Sequence, residues 1–276
     1  AWGISSRQFK LMIPLLVPGL LFVWMYHPYL FPKPAQPFDK SHQLRVMTYN
    51  VLFSNMDYDG VANVVLTHQP DLVALQEVQP EMMNALGERL ADDYPYSFLG
   101  TENTYGTTAV FSRYPFAETE IVDLQADRPA VVVKTKINNQ DITFIATHLL
   151  AYNLWWTKLP DIPEVVMQRT TNQNQQARIL LERIDSKDGI VIIGCACNSY
   201  ETSSSYRIFH QFMNNAVRQT GWLLSGNELP DAQPDTYLQH IDYVWYKGDI
   251  MPKRVYKIKD DGGSDHLPVL AIFDMN

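Results

Sequence analysis

Cysteine is nearly missing from this chain of 276 residues, which has only Cys195 and Cys197. Two thiols are too few for a structural zinc site or a disulfide-stapled scaffold. Two positions apart, they read as small apolar core residues, because a bridge between such close neighbours would be strained. Charge is also sparse: 19% of residues are charged, and 22 Lys and Arg against 30 Asp and Glu leave a net charge of -8. That balance argues against passive binding of nucleic acid to a basic surface, but leaves room for an enzyme that meets phosphates through a bound cation. Repeats and low-complexity tracts are absent. With 46% hydrophobic residues, the chain can bury a core as one large domain or two small ones.

From residue 11 to residue 31 charge disappears altogether. An uncharged apolar run of that length predicts a membrane-spanning helix, with Trp24, Tyr26 and Tyr29 gathered at one end as an interfacial belt. Pro14, Pro18, Gly19 and His27 weaken the run, so a signal-like segment or a helix packed on the domain are the alternatives. Lys and Arg flank the run on both sides, and sidedness stays open; an extracytoplasmic catalytic domain is one arrangement. The expected organisation is an N-terminal anchor over residues 1–31, a semi-rigid linker over 32–43 carrying Pro32, Pro34 and Pro37, and a catalytic domain over 44–276. The first residue is Ala1 rather than Met, as expected of a piece of a longer chain.

Beyond residue 44, strand and helix patterns alternate. Residues 44–52 and 71–75 read as strands, and 60–67 and 80–90 as helices, the second opening on Pro80. Residues 107–112, 130–137 and 141–147 read as strands, the last two joined by an Asn138-Asn139 turn. A helix over 165–184 carries Ala177, Leu180, Leu181 and Ile184 on one face. A buried strand at 190–194, a helix at 203–214, and strands at 241–246, 254–258 and 267–273 complete the domain. This order predicts two mixed sheets packed as a sandwich with helices outside.

Polar residues collect at the strand edges: Thr48-Tyr49-Asn50, Gln76-Glu77, Thr147-His148-Leu149, Asn198, Ile241-Asp242-Tyr243 and Ser264-Asp265-His266-Leu267-Pro268. Apolar strand interiors fix the backbone there while the ends project side chains into a cleft. The ordered series spans roughly residues 44–275 and resembles the endonuclease/exonuclease/phosphatase superfamily. The resemblance implies an α/β fold, specifically a four-layer α/β/β/α sandwich of two mixed β-sheets with outer helices, and Mg²⁺- or Mn²⁺-dependent hydrolysis of phosphodiesters or phosphomonoesters. One position departs from it. Where the family writes Gly-Asp-x-Asn this chain reads Cys195-Ala196-Cys197-Asn198, so Ala196 stands where a catalytic aspartate is expected, and turnover is expected to be impaired.

Phosphate ester cleavage needs charge neutralised, water aligned and the leaving oxygen stabilised. A hard cation takes oxygen ligands and keeps its own waters, so Glu77 with help from Asn50 or Asp265 suffices to hold it. By resemblance, His148 supports the phosphate, His266 acts at the scissile group with Asp242 orienting its ring, and Asn198 holds a phosphate oxygen or the nucleophile. Strand alternation puts positions 196 and 198 on one side and the thiols on the other, so neither thiol replaces the carboxylate. Trp155 and Trp156 are candidates for stacking a base or touching a lipid interface, and the polar loop 101–105 for lining the cleft. The expected substrate is a nuclease-type phosphodiester; a phospholipid or inositol phosphate is the alternative, and a silent module that only binds phosphate ligands is a third reading. No protein partner is predicted.

Overall fold

Alternation of apolar residues decides which way each strand faces. The computed structural model describes residues 6–30, 42–101, 105–125, 128–152, 154, 157–184, 189–220 and 240–275. One six-stranded sheet runs β11 (Ile250–Lys257), β12 (Val269–Met275), β1 (Gln43–Asn50), β2 (Leu72–Val78), β4 (Thr107–Ser112), β3 (Tyr96–Leu99). The other, also six-stranded, runs β5 (Phe116–Val122), β6 (Ala130–Ile137), β7 (Gln140–His148), β8 (Ile190–Ala196), β10 (Asp242–Lys247), β9 (Asn214–Asn215). Leu44 and Val46 of β1 meet Phe144 and Ala146 of β7 and Ile192 of β8 between the sheets. Met47 and Tyr49 face the other way, towards α2 (Tyr58–His68) and α3 (Pro80–Arg89). Val191 and Ile193 likewise face α4 (Ile162–Glu182) and α5 (Ser204–Phe212). Helix, sheet, sheet and helix are the four layers expected.

Among the described strand pairs two are parallel, β1 with β2 and β7 with β8, and each is joined by a crossover carrying a helix. Both crossovers deliver strand ends to one edge of the sandwich. The sheets approach closely just beneath it: a Cβ on Gly194 would lie 2.6 Å from Ala74 Cβ. Gln76 Nε2 bridges that seam, donating to Thr48 Oγ1 (3.1 Å) and Gly194 O (3.5 Å).

The Asn138-Asn139 turn is present with both residues at positive φ, as a two-residue hairpin demands. Strands β3, β5 and β9 escaped the sequence reading. β5 presents mostly exposed positions, among them Glu118 and Glu120, so it lacks the apolar signal of a core strand.

Two expectations need correction. The apolar N-terminal run is helical, α1 (Ser6–Leu30), but no helix among the described residues is long and apolar enough to cross a membrane. Pro14, Pro18, Gly19 and His27 dilute the run, and its far end rests on the domain: Arg218 of α6 (Ala216–Thr220) donates from Nη2 to Met25 O at 3.3 Å, and Tyr26 packs on the inter-sheet core. Residues 31–41, with most of the expected linker, lie outside the described residues. Cys195 and Cys197 are buried among apolar neighbours as read, yet they are joined in a disulfide rather than left as separate thiols. The Cα atoms are only 5.0 Å apart where β8 ends, within bridging distance.

Candidate active site

Glu77 reaches the cleft through a defect in its strand. Leu75 belongs to the helix-facing side of the sheet, so unbroken alternation would send Glu77 to the same side. Between Leu75 and Val78, however, β2 gains one residue against β4, and Glu77 takes φ +64°. The bulge turns its carboxylate inward, where Oε1 accepts Asn50 Nδ2 at 3.2 Å and Oε2 accepts the Phe53 amide at 3.0 Å. Gly106, itself at φ +74°, lies flat against this kink: a Cβ there would come 2.4 Å from the Glu77 carbonyl carbon.

On the facing sheet, strand register makes a row of the central residues. Ala196 pairs with His148 on one side and Asp242 on the other. Inward neighbours of Ala196 along β8 lie on the inter-sheet side, opposite Cys195 and Cys197, as alternation requires. Asn198, at φ +48°, folds back so that Nδ2 donates to Leu149 O (2.8 Å) and His148 Nε2 (2.9 Å). His148 lies 3.8 Å from Glu77 Oε1 through Nδ1, and this contact joins the two sheets at the site.

The two histidines are held in opposite charge states. Burial, then the Arg128 and His266 charges, keep the His148 pKa well below the usual 6.5, consistent with Nε2 accepting from Asn198. Burial also opposes charge on His266, but Asp242 outweighs it through charge and a 2.9 Å hydrogen bond from Nδ1 to Oδ2. With Asp265 and Glu77 adding, the pKa is pushed up to about 9. At neutral pH the site therefore offers one neutral and one cationic imidazole. The other oxygen of Asp242, Oδ1, is buried with no hydrogen-bond partner among the described residues. The His266 amide donates to Ser264 Oγ (3.1 Å), which donates to Asn50 O (2.7 Å), tying the closing loop to β1.

Of the residues singled out in the sequence, Asn50, Glu77, His148, Ala196, Asn198, Asp242 and His266 are linked by these contacts and pairings. Asp265 is exposed and bears on the site through its charge on His266. Trp155 and Trp156 lie outside the described residues. Two participants were missed. Arg128 places Nη1 3.4 Å from Glu77 Oε1 and 2.7 Å from His148 Nε2. Gln173, buried on α4, donates to both Leu150 O (2.7 Å) and Asn198 O (2.9 Å). Arg128 could have been found, since it precedes a strand antiparallel to β7 and so lies level with the His148 end. Gln173 carries no local signal.

The family model for the Endonuclease/Exonuclease/phosphatase family matches residues 47–266. The chain belongs to this family. Solved structures of the same fold include D. rerio TDP2 complexed with single strand DNA product, 19% identical over 86% of this chain and 100% of that one, TM-score 0.66. The human Nocturnin catalytic domain with bound sulfate is 18% identical over 87% and 96%, TM-score 0.67. The endonuclease/exonuclease/phosphatase from Beutenbergia cavernae is 20% identical over 85% and 72%, TM-score 0.65. At these identities the likeness establishes the fold alone. No match was found among curated protein sequences.

Enzymes of this family generally use divalent metals. Among the described residues no three His, Cys, Asp or Glu side chains gather into a metal cage. The donor set nevertheless fits a hard cation: the Glu77 carboxylate with the Asn50 amide beside it supplies oxygen, and Mg²⁺ needs only one or two carboxylates while keeping its waters. Arg128 now shares Oε1 of that carboxylate and would have to yield part of it.

Proposed function

We propose that this chain is a divalent-metal-dependent phosphoric ester hydrolase of the nuclease-like, phosphodiester-cleaving kind, with turnover impaired by Ala196. The observation that carries this reading is the row His148, Ala196, Asp242: two groups suited to phosphate chemistry flank a methyl group that has no oxygen to align water. Glu77 and Asn50 would hold Mg²⁺ or Mn²⁺, which when bound neutralises phosphoryl charge. Neutral His148, fixed by Asn198, would support the phosphate. Cationic His266, oriented by Asp242, stabilises charge developing at the scissile group and can pass it a proton.

Restoring the carboxylate tests the proposal. Ala196→Asp should raise hydrolysis of bis(p-nitrophenyl) phosphate by on the order of 10² to 10⁴, the scale of acid-base assistance, in a Mg²⁺- or Mn²⁺-dependent manner. The gain should vanish again in Ala196→Asp/His266→Ala. If folded, metal-loaded Ala196→Asp protein leaves every phosphodiester and phosphomonoester untouched, the chain is instead a silent module that binds phosphate ligands. For location, the proposal is surface contact with a membrane through α1, where Leu16, Leu20, Phe22 and Trp24 are exposed. Flotation with liposomes, lost on deletion of residues 1–30, is the corresponding measurement.

A further inference from the structure

Two large aromatic side chains stand exposed on the Glu77 wall of the cleft. Phe53 is 39% exposed and Tyr105 52%, and their rings meet edge to face, centroids 5.8 Å apart at 85°. The Phe53 amide is tied to Glu77 Oε2 at 3.0 Å, which anchors the backbone that carries its ring beside the carboxylate. Tyr105 immediately precedes Gly106, whose backbone is pressed against that of Glu77. The same bulge that aims the carboxylate therefore anchors the backbone on either side of both rings. Large apolar surface left open on a polar site's rim marks ligand contact rather than core packing.

We propose that Phe53 and Tyr105 form a specificity platform that stacks a nucleobase carried next to the phosphate, which His148 and the cation held by Glu77 would bind. This deepens the proposed function and rests on it. An edge-to-face pair presents ring faces and edges to a planar partner, whereas an aliphatic chain is held by a groove of branched side chains. Stacking of this kind tolerates any base, since every base has a π-face, and so it suits a chain of net charge -8 that lacks a basic stripe for gripping a long backbone. Phe53 and Tyr105 select by the group beside the phosphate and take no part in bond breaking.

The experiment uses the full chain, whose Ala196 keeps ligands intact during titration. Calorimetry with Mn²⁺ would compare adenosine 5′-monophosphate, ribose 5-phosphate and n-octyl phosphate. The nucleotide should bind at least about tenfold more tightly than ribose 5-phosphate. Phe53→Ala and Tyr105→Ala should each erode that preference without weakening ribose 5-phosphate, and Phe53→Trp should keep it. Equal binding of nucleotide and sugar phosphate by the unaltered chain overturns the platform. So does a preference that survives both alanine variants, or octyl phosphate binding as tightly as the nucleotide. The Glu77→Gln variant separates this from failure of the underlying site: if it binds ribose 5-phosphate as well as the unaltered chain does, the phosphate-site reading itself is wrong.

Discussion

Replacing Asp242 with asparagine should strip His266 of its charge at neutral pH. His266 is largely buried, and burial alone would push its pKa below 6.5; the net direction is instead upward, to about 9, because the Asp242 carboxylate faces Nδ1 at 2.9 Å. The gap from 6.5 to about 9 corresponds to about 3 kcal/mol of preference for the imidazolium. Asparagine keeps the shape and an oxygen that can accept from Nδ1, so geometry is largely retained while the charge is lost. With burial then opposed only by the weaker Asp265 and Glu77 charges, the His266 pKa should fall to about 6.5 or lower. The assay is an NMR titration of ring Cε1–H signals, with His266 identified by the resonance missing in His266→Gln. Folding stability follows the same linkage. A folded-state pKa raised above the unfolded value contributes stability that is fully present below about 6.5 and is lost as pH rises through about 9. Urea unfolding should therefore show a loss of up to about 3 kcal/mol across that window in the unaltered chain, and a much flatter profile in Asp242→Asn. A His266 that titrates near 6.5 in the unaltered chain, or stays near 9 in Asp242→Asn, would refute the reasoning.

His148 should act with the opposite sign: its folded pKa is depressed, so the unfolded chain takes up a proton that the folded ring refuses, and stability should fall as pH drops below about 6.5. His148→Gln should lessen that acid-side slope in the same urea series and leave the share of His240, whose pKa burial likewise lowers. Gly106→Ala should cost about 2–4 kcal/mol, combining a left-handed backbone with a Cβ driven into Glu77, and thermal unfolding would show it. A Gly106→Ala protein as stable as the parent would mean that the loop is not pressed against the bulge. Glu77→Gln should abolish Mn²⁺ binding measured by calorimetry, while Asp265→Asn, altering an exposed side chain, should weaken it only slightly.

The sequence by itself determined the layers and most of the site's parts. Periods of two and 3.6 residues in the apolar pattern separate strands from helices, because each element must bury one face, and the two helix-bearing crossovers then require parallel pairing of β1 with β2 and of β7 with β8. Polar residues at the strand ends identified Asn50, His148, Asn198 and Asp242, and alternation along β8 put Ala196 on the cleft side. Tertiary structure decided what local pattern could not. Alternation alone would turn Glu77 away from the cleft; the bulge and positive φ that bring it in depend on Gly106, a contact across strands. Arg128 enters the site from β6's approach, level with the His148 end by antiparallel register, while Gln173 enters from α4, more than 20 positions from its partners, so no spacing rule points to it. The opposite charge states of His148 and His266 have the same origin: both are strand-end histidines in sequence, burial opposes charge on both, and only an arginine beside one and a carboxylate beside the other set them apart.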